Sequence, residues 1–109
     1  MSVMLLRQKV KDGSVEQAEA AVHEVFAALA RMHPEGIRYA STRVADTSTF
    51  IALLELDEGS ADPRVELPEF GRFLEQLEDL VEGPPVIEQL EVVGSYELFG
   101  SCEVAVAAR

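Results

Sequence analysis

A tyrosine and two oppositely charged side chains stand beside apolar residues on strand-like stretches of this sequence. Tyr39 carries a phenol that can donate or accept a proton, while Arg7 and Glu55 can orient a polar ligand. Their predicted neighbours Ile51 and Leu53 are apolar, and an apolar surface with a few polar groups is typical of a small-molecule pocket. We therefore predict a substrate-binding site formed by Arg7, Tyr39, Leu53 and Glu55. The alternative is that Arg7 and Glu55 pair across a dimer interface in which Tyr39 packs.

The sequence carries little sign of metal or cofactor chemistry. Neither His23 nor His33 has a second histidine four residues on, and there is no CxxC pair, so both imidazoles are interpreted as structural. A GxGxxG or P-loop motif is also missing, which argues against a bound nucleotide. The single Cys102 has no disulfide partner and no obvious activating base, which fits a reducing cytoplasm. We predict no metal and no cofactor, and we assign no catalytic residue.

The charge balance excludes one large class of partners. The chain has 9 Lys+Arg against 20 Asp+Glu, and a net charge of -11 repels the phosphate backbone of nucleic acids. The sequence contains no run of about 18 apolar residues that could span a bilayer, and its first apolar run is too short for an export signal. We predict a cytoplasmic protein that binds neither nucleic acid nor membrane.

The predicted site depends on strands that belong to a twice-repeated strand-helix-strand pattern. A hairpin over Gly36–Asp57 lies at its centre, with a strand over Val3–Val10 and a helix from Val15 before it. A second helix from Pro68 and a strand over Val86–Phe99 follow. This order predicts a single α+β domain over residues 1–109, a ferredoxin-like β-α-β-β-α-β sandwich with an antiparallel sheet and two helices on one face.

Local signals predict where these elements begin and end. Ser14 and Gln17 have the spacing of a capping box at the start of the first helix, and Pro34 should end that helix. The segment Glu58–Leu67 has loop composition with almost no apolar anchor, so we expect it to be the most mobile part and to border the cavity mouth. Gly94 inside the last strand suggests a bulge that sends its second half towards a second copy of the chain.

Alternation along the strands predicts which residues share a face. Even-numbered positions should face the helices, as indicated by Phe50, Ala52, Leu54, Leu90 and Val92. The odd-numbered positions should then line the opposite face: Arg7, Lys9, Tyr39, Ser41, Ile51, Leu53, Glu55, Glu91 and Val93. Ile51 and Leu53 need cover on that face which the two helices cannot provide. A homodimer formed through the sheet faces would supply it.

Two stretches, taken with the order of elements, carry a resemblance to a known group of proteins. These are TFIALLELD, which is Thr49–Asp57, and GPPVIEQLEVVGSYELF, which is Gly83–Phe99. With them the chain resembles the dimeric α/β-barrel superfamily over Val3–Phe99, and most closely its antibiotic-biosynthesis-monooxygenase-like members. The resemblance implies a homodimer and a cofactor-free monooxygenase acting on an aromatic or polyketide-like small molecule. The superfamily also contains haem-degrading enzymes, isomerases and decarboxylating enzymes.

The sequence departs from two patterns of that superfamily. Its haem-degrading members use Trp, His and Asn, and the oxygenases of aromatic polyketides favour Trp, Asn and Tyr, whereas this chain has no Trp and no Asn. No catalytic residue can therefore be carried over. Two alternatives to an enzyme stay open: a non-enzymatic small-molecule-binding dimer, and a structural or interaction dimer whose cavity is filled by its own side chains.

Overall fold

A four-stranded antiparallel sheet and two helices make up the computed structural model, which describes residues 2–59 and 61–98. The strands are β1 (Ser2–Lys9), β2 (Ile37–Arg43), β3 (Thr49–Leu56) and β4 (Val86–Glu91), and the helices are α1 (Val15–Met32) and α2 (Pro68–Leu80). A short 3-10 helix at Pro63–Glu66 precedes α2. The strand order is β2-β3-β1-β4. The predicted α+β, ferredoxin-like fold is confirmed.

Helix α1 begins at Val15 as predicted, but its N-terminus is not closed by the predicted capping box. The Ser14 side chain makes no cap hydrogen bond, because Ser14 has φ -106° and ψ 4° rather than the extended conformation that aims a capping hydroxyl at the helix. At the other end His33 adopts a left-handed conformation with φ 48°, and its N–H donates to the Leu29 carbonyl at 2.9 Å. Pro34 follows directly, so the predicted end of the helix is confirmed.

Strand β4 is shorter than the sequence suggests. It ends at Glu91, and Glu91 pairs with Ser2, the first residue of β1. Among the described strands, β1 is the neighbour of β4 in the sheet. Among the described strands, none pairs with residues 92–98, and the predicted bulge at Gly94 does not lie within a strand. Phe99 and the tail with Cys102, predicted to continue as strand, lie outside the described residues.

The register of the sheet decides which side chains share a face, since directly paired residues point to the same side. Leu54 of β3 pairs with Met4 and with Tyr39, whereas Leu53 pairs with Leu5 and Ala40. The side facing the helices carries Met4, Leu6, Gln8, Tyr39, Ser41, Phe50, Ala52, Leu54, Ile87 and Gln89. The other side, which we call the open face, carries Val3, Leu5, Arg7, Arg38, Ala40, Thr42, Ile51, Leu53, Glu55, Val86, Glu88 and Leu90.

The prediction that even-numbered positions face the helices is correct for β1 and β3 and wrong for β2 and β4. Odd-numbered Tyr39 pairs with even-numbered Leu54, and even-numbered Leu90 pairs with odd-numbered Val3. Tyr39 therefore faces the helices and Leu90 does not. Whether even- or odd-numbered residues face the helices can differ from one strand to the next, because the pairing register sets the face and the residue number does not.

Both helices cover the same side of the sheet. Ala18 and Val22 of α1 and Phe73 and Leu77 of α2 lie around a cavity whose other wall is the sheet. The buried core cluster lies where the helices meet and consists of Val25, Ala28, Leu29, Leu67 and Phe70. Within the described ranges, neither helix is long and apolar enough to cross a membrane.

Candidate functional site

A cavity of ≈ 100 Å³ lies between the sheet and the two helices. Its walls are mostly apolar: Met4, Leu6, Val10, Ala18, Val22, Phe50, Ala52, Leu54, Phe73 and Leu77. Polar residues among the described part of the chain also line it, namely Gln8, Tyr39, Ser41 and Arg64. An apolar enclosure with a few converging polar groups is the usual composition of a small-molecule site.

Tyr39 places a phenol at this cavity and is held there by aromatic packing. Its ring stacks on Phe26 of α1 with the ring centroids 5.0 Å apart and the planes 17° from parallel. Burial raises the pKa of the Tyr39 hydroxyl above its ordinary value of 10.0, and the nearby Arg64 charge only partly opposes this effect. The phenol therefore stays protonated at neutral pH, where it acts as a hydrogen-bond donor rather than as a base.

Arg64 brings a positive charge to the same end of the cavity. It belongs to the 3-10 helix, and its guanidinium carbon lies 4.8 Å from the ring centroid of Tyr39 and 4.6 Å from that of Phe70. Its side chain is only 15% exposed. Burial lowers the pKa of the Arg64 guanidinium, but the hydrogen bonds and charges of Asp62 and Tyr39 raise it by more, so Arg64 remains a cation.

Asp62 positions Arg64 through a two-pronged ion pair. Arg64 Nη2 donates to Asp62 Oδ2 at 2.8 Å, and Nε lies 3.1 Å from each carboxylate oxygen. The same carboxylate accepts the backbone N–H of Arg64 at 2.9 Å, which caps the 3-10 helix. Asp62 is thus bonded to both the backbone and the side chain of Arg64, and it sets the direction in which the guanidinium points.

Gln8 presents a hydrogen-bond acceptor to the cavity. It is 9% exposed, and its Nε2 donates to the carbonyls of Lys9 at 2.9 Å and Gly83 at 3.1 Å. Since both amide hydrogens are used in this way, Oε1 is the polar atom that remains for a ligand. Together with the phenol of Tyr39 and the hydroxyl of Ser41, it gives the cavity both donors and acceptors.

The structure divides the predicted substrate-binding residues between the two sides of the sheet. Tyr39 lines the cavity, whereas Arg7, Leu53 and Glu55 lie on the open face. The expectation that Tyr39 shares a face with Arg7 and Glu55 is therefore wrong, because the β2 register turns Tyr39 towards the helices. Within the chain, Glu55 accepts a hydrogen bond from Nε of Arg38, its neighbour across the strand pair.

Arg64 was not predicted from the sequence as a site residue, yet among the described residues that line the cavity it is the one with a charge. Asp62 followed by Pro63 is the signal that could have indicated it, since an Asp cap with proline in the first turn predicts a short helix. The expectation that Glu58–Leu67 has almost no apolar anchor is also wrong for its second half. Leu67 is 7% exposed and belongs to the core cluster.

Other possible sites offer less chemistry. A wider surface depression of ≈ 550 Å³ lies near the β2–β3 turn, and its two cations are Lys9 and Arg43. Lys9 pairs with Glu82, and Arg43 pairs with Glu19, so neither cation is free to attract an anion. In the part of the chain that the structure describes, no three His, Cys, Asp or Glu side chains are grouped so that they could hold a metal ion.

Solved structures of other proteins share this arrangement of strands and helices. A crystal structure of an antibiotic biosynthesis monooxygenase matches with a TM-score of 0.69 and 14% identity, over 86% of this chain and 100% of the other. A candidate antibiotic biosynthesis monooxygenase from Caulobacter crescentus CB15 matches with a TM-score of 0.69 and 20% identity, over 85% and 90%. The chain has the antibiotic biosynthesis monooxygenase fold. The resemblance predicted from the sequence is thereby confirmed at the level of fold.

The monooxygenase fold does not by itself specify a reaction. A conserved protein from Methanosarcina mazei Go1 shares it with a TM-score of 0.66 and 17% identity, over 83% of this chain and 91% of the other. No protein-family model and no curated protein sequence matches the chain. Its chemistry must therefore be argued from its own cavity.

Removing the Asp62 carboxylate is expected to change the pH dependence of stability. Hydrogen bonds from Arg64 hold the pKa of Asp62 below its ordinary value of 3.8, although partial burial opposes them. The ion pair therefore stabilises the folded state at pH values above the ordinary pKa of Asp62. This stabilisation is lost as the pH falls through the lowered pKa that Asp62 has in the folded state. Since the ion pair is partly exposed, Asp62→Asn should lower the free energy of unfolding by about 0.5 kcal/mol at pH 6 and by almost nothing at pH 2.

Urea unfolding of Asp62→Asn and of the parent chain at several pH values measures this difference. Asp46→Asn is a matched control, because Asp46 is exposed in the β2–β3 turn at φ 62°, a conformation that asparagine tolerates. An equal loss of stability at pH 6 and pH 2 would show that Asp62 does not act through its charge.

Proposed function

We propose that this chain is a cofactor-free monooxygenase that binds a small aromatic molecule in the cavity between sheet and helices. The observation that supports the proposal is the convergence of Tyr39 and Arg64 on one end of an apolar cavity. The fold shared with antibiotic biosynthesis monooxygenases favours this reaction over other uses of such a cavity. In this proposal the apolar walls hold the ring, while Tyr39 donates a hydrogen bond to a substrate oxygen.

The proposed reaction needs no external reductant. A phenol and dioxygen give a quinone and water: a ring carbon loses its hydrogen and gains one oxygen atom, and the phenol loses its proton. The second oxygen atom leaves as water, and the substrate supplies all the electrons. Negative charge builds up on the phenol oxygen as its proton leaves, and Arg64 would stabilise that charge.

The size of the cavity favours a single aromatic ring. Its volume of ≈ 100 Å³ is somewhat below the ~150 Å³ of an apolar protein cavity that accepts benzene. A single-ring phenol therefore needs only small side-chain shifts to fit. A fused-ring, polyketide-like molecule would need the segment around Arg64 to move away from Tyr39 and Phe70.

Dimer formation through the open face is the second part of the proposal. Leu5, Ile51 and Leu53 are adjacent there through the register of β1 and β3, and they form an apolar centre. Arg38 and Glu55 lie at its edge. Among the described elements both helices lie on the opposite side, so a second copy of the same face would remove this apolar surface from water.

The second candidate function is a non-enzymatic binding or structural dimer, and the small cavity favours it. Ligand sites usually enclose about 300–1,000 Å³, whereas this cavity has ≈ 100 Å³. Part of the space is filled by Tyr39 itself, stacked on Phe26. Such packing is what a cavity that stabilises only the fold would show.

Oxygen consumption with a panel of single-ring and fused-ring phenols and quinols tests the enzyme proposal. We expect turnover of single-ring substrates and the incorporation of isotopically labelled oxygen from dioxygen into the product. Boiled protein serves as the control for uncatalysed autoxidation. If compounds of the panel bind but no oxygen is consumed, the non-enzymatic binding dimer is favoured. If none of the compounds binds, the structural dimer is favoured.

A further inference from the structure

The charges around the cavity are distributed unevenly. Among the described residues that line it, Arg64 is the one with a charge, and these residues include no carboxylate and no imidazole. This occurs in a chain with a net charge of -11, so most of the protein repels anions while this cavity presents a cation to them. A ligand anion inside the cavity would meet a compensating charge, and a ligand cation would not.

The guanidinium is oriented so that part of it stays available. Asp62 does not line the cavity, and its carboxylate contacts Nε and Nη2 of Arg64. Arg64 also forms a hydrogen bond with the Tyr39 side chain, but a guanidinium has five N–H donors, which is more than these contacts use. Tyr39 lies against the same guanidinium and keeps a hydroxyl hydrogen to donate. A single ligand oxygen can therefore receive hydrogen bonds from both residues.

In the part of the chain that the structure describes, the cavity lining offers no residue that takes a proton from the ligand. The phenol of Tyr39 is protonated at neutral pH, and the remaining polar groups are an amide and a hydroxyl. Neither of these groups is a base near neutral pH. The ligand must therefore give its proton to solvent before or during binding, and acidic ring alcohols do this most readily.

We propose that the cavity selects aromatic alcohols as their anions, phenolates or ring enolates, with Arg64 as the counter-charge and Asp62 as its positioning residue. The inference rests on the proposed function, since it names the substrate class of the same cavity. Binding is a proton exchange: the neutral alcohol and the protein give the complex of the anion and one proton released to solvent. The O–H bond breaks, and its electron pair stays on the ligand oxygen.

The probe is 4-nitrophenol, which ionises near neutral pH and whose phenolate has its own absorption band. Its neutral counterpart is 4-nitroanisole, in which a methyl group replaces the ionisable hydrogen. In absorbance titrations with the full chain we expect bound 4-nitrophenol to keep its phenolate band to a pH about one unit lower than in free solution, because an opposite charge favours the ionised form. Its affinity should exceed that of 4-nitroanisole about tenfold or more.

Variants locate the effect at Arg64. Arg64→Gln should abolish the shift and weaken 4-nitrophenol binding about tenfold or more, while the affinity for 4-nitroanisole stays within about twofold. Arg64→Lys should keep part of the shift because it keeps the charge. The matched control is Arg31→Gln, since Arg31 is an exposed cation paired with Glu69 on the outside of the helices. That variant should bind both probes as the parent chain does.

The outcomes separate this inference from the proposed function. If both probes bind with equal affinity, or if bound 4-nitrophenol is neutral, the anion proposal is wrong, but an aromatic site remains. If neither probe binds to the folded protein, the aromatic site fails and the anion proposal fails with it. The comparison of the two probes on the unaltered chain needs no variant, so a variant that does not fold leaves the test intact.

Discussion

Leu53→Glu is expected to convert the protein from a dimer to a monomer. Leu53 pairs with Leu5 and Ala40 near the middle of the open face, on a strand that has neighbours on both sides. In a face-to-face dimer each copy would bury one glutamate without a partner, and an unpaired buried charge costs about 3–5 kcal/mol. Light scattering should give twice the 11.9 kDa chain mass for the parent protein and the single chain mass for the variant.

The same substitution at an exposed leucine controls for the added charge. Leu74 on α2 is half-exposed, so Leu74→Glu should remain dimeric and lose little stability. Leu53→Glu should also unfold at a lower temperature, because it loses the stabilisation that association provides. A parent chain that is monomeric at micromolar concentration, or a Leu53→Glu protein that stays dimeric, would rule out the open face as the interface.

Tyr39→Phe is expected to lower kcat by about 10²–10³, the usual effect of removing a hydrogen-bond donor from a developing negative charge. The ring and its stacking on Phe26 remain, so the fold should be unchanged and the loss of turnover should not come from unfolding. Burial raises the pKa of Tyr39, so the hydroxyl donates throughout the neutral range. The measurement is oxygen consumption with a single-ring substrate that the parent chain oxidises.

Tyr96 provides the matched control for this loss. It is the other tyrosine of the chain, it is 89% exposed, and it lies after the end of β4. Tyr96→Phe should therefore keep the turnover of the parent protein. Full turnover by Tyr39→Phe would mean that the phenol fills space in the cavity without taking part in the reaction.

Local sequence signals predicted much of the fold. Helix α1 begins at Val15 and ends before Pro34, and α2 begins at Pro68, because helix starts and stops depend on residues within a turn of the boundary. The hairpin around β3 was also predicted, since alternation and turn residues act over short distances. The predicted grouping of the four site residues on one face of the sheet was wrong. Tyr39 lines the cavity, but Arg7, Leu53 and Glu55 are on the open face.

Contacts between distant parts of the chain decided the rest. Pairing between β2 and β3 turns Tyr39 towards the helices, and pairing between β1 and β4 places Leu90 on the open face. Packing of the 3-10 helix against Tyr39 and Phe70 brings Arg64 to the cavity from a stretch whose composition suggested only a loop. The sequence by itself determined the elements and their order, because these follow from periodicity and local capping. The tertiary structure decided which side chains meet, because hydrogen-bond register and packing join residues that are far apart in the chain.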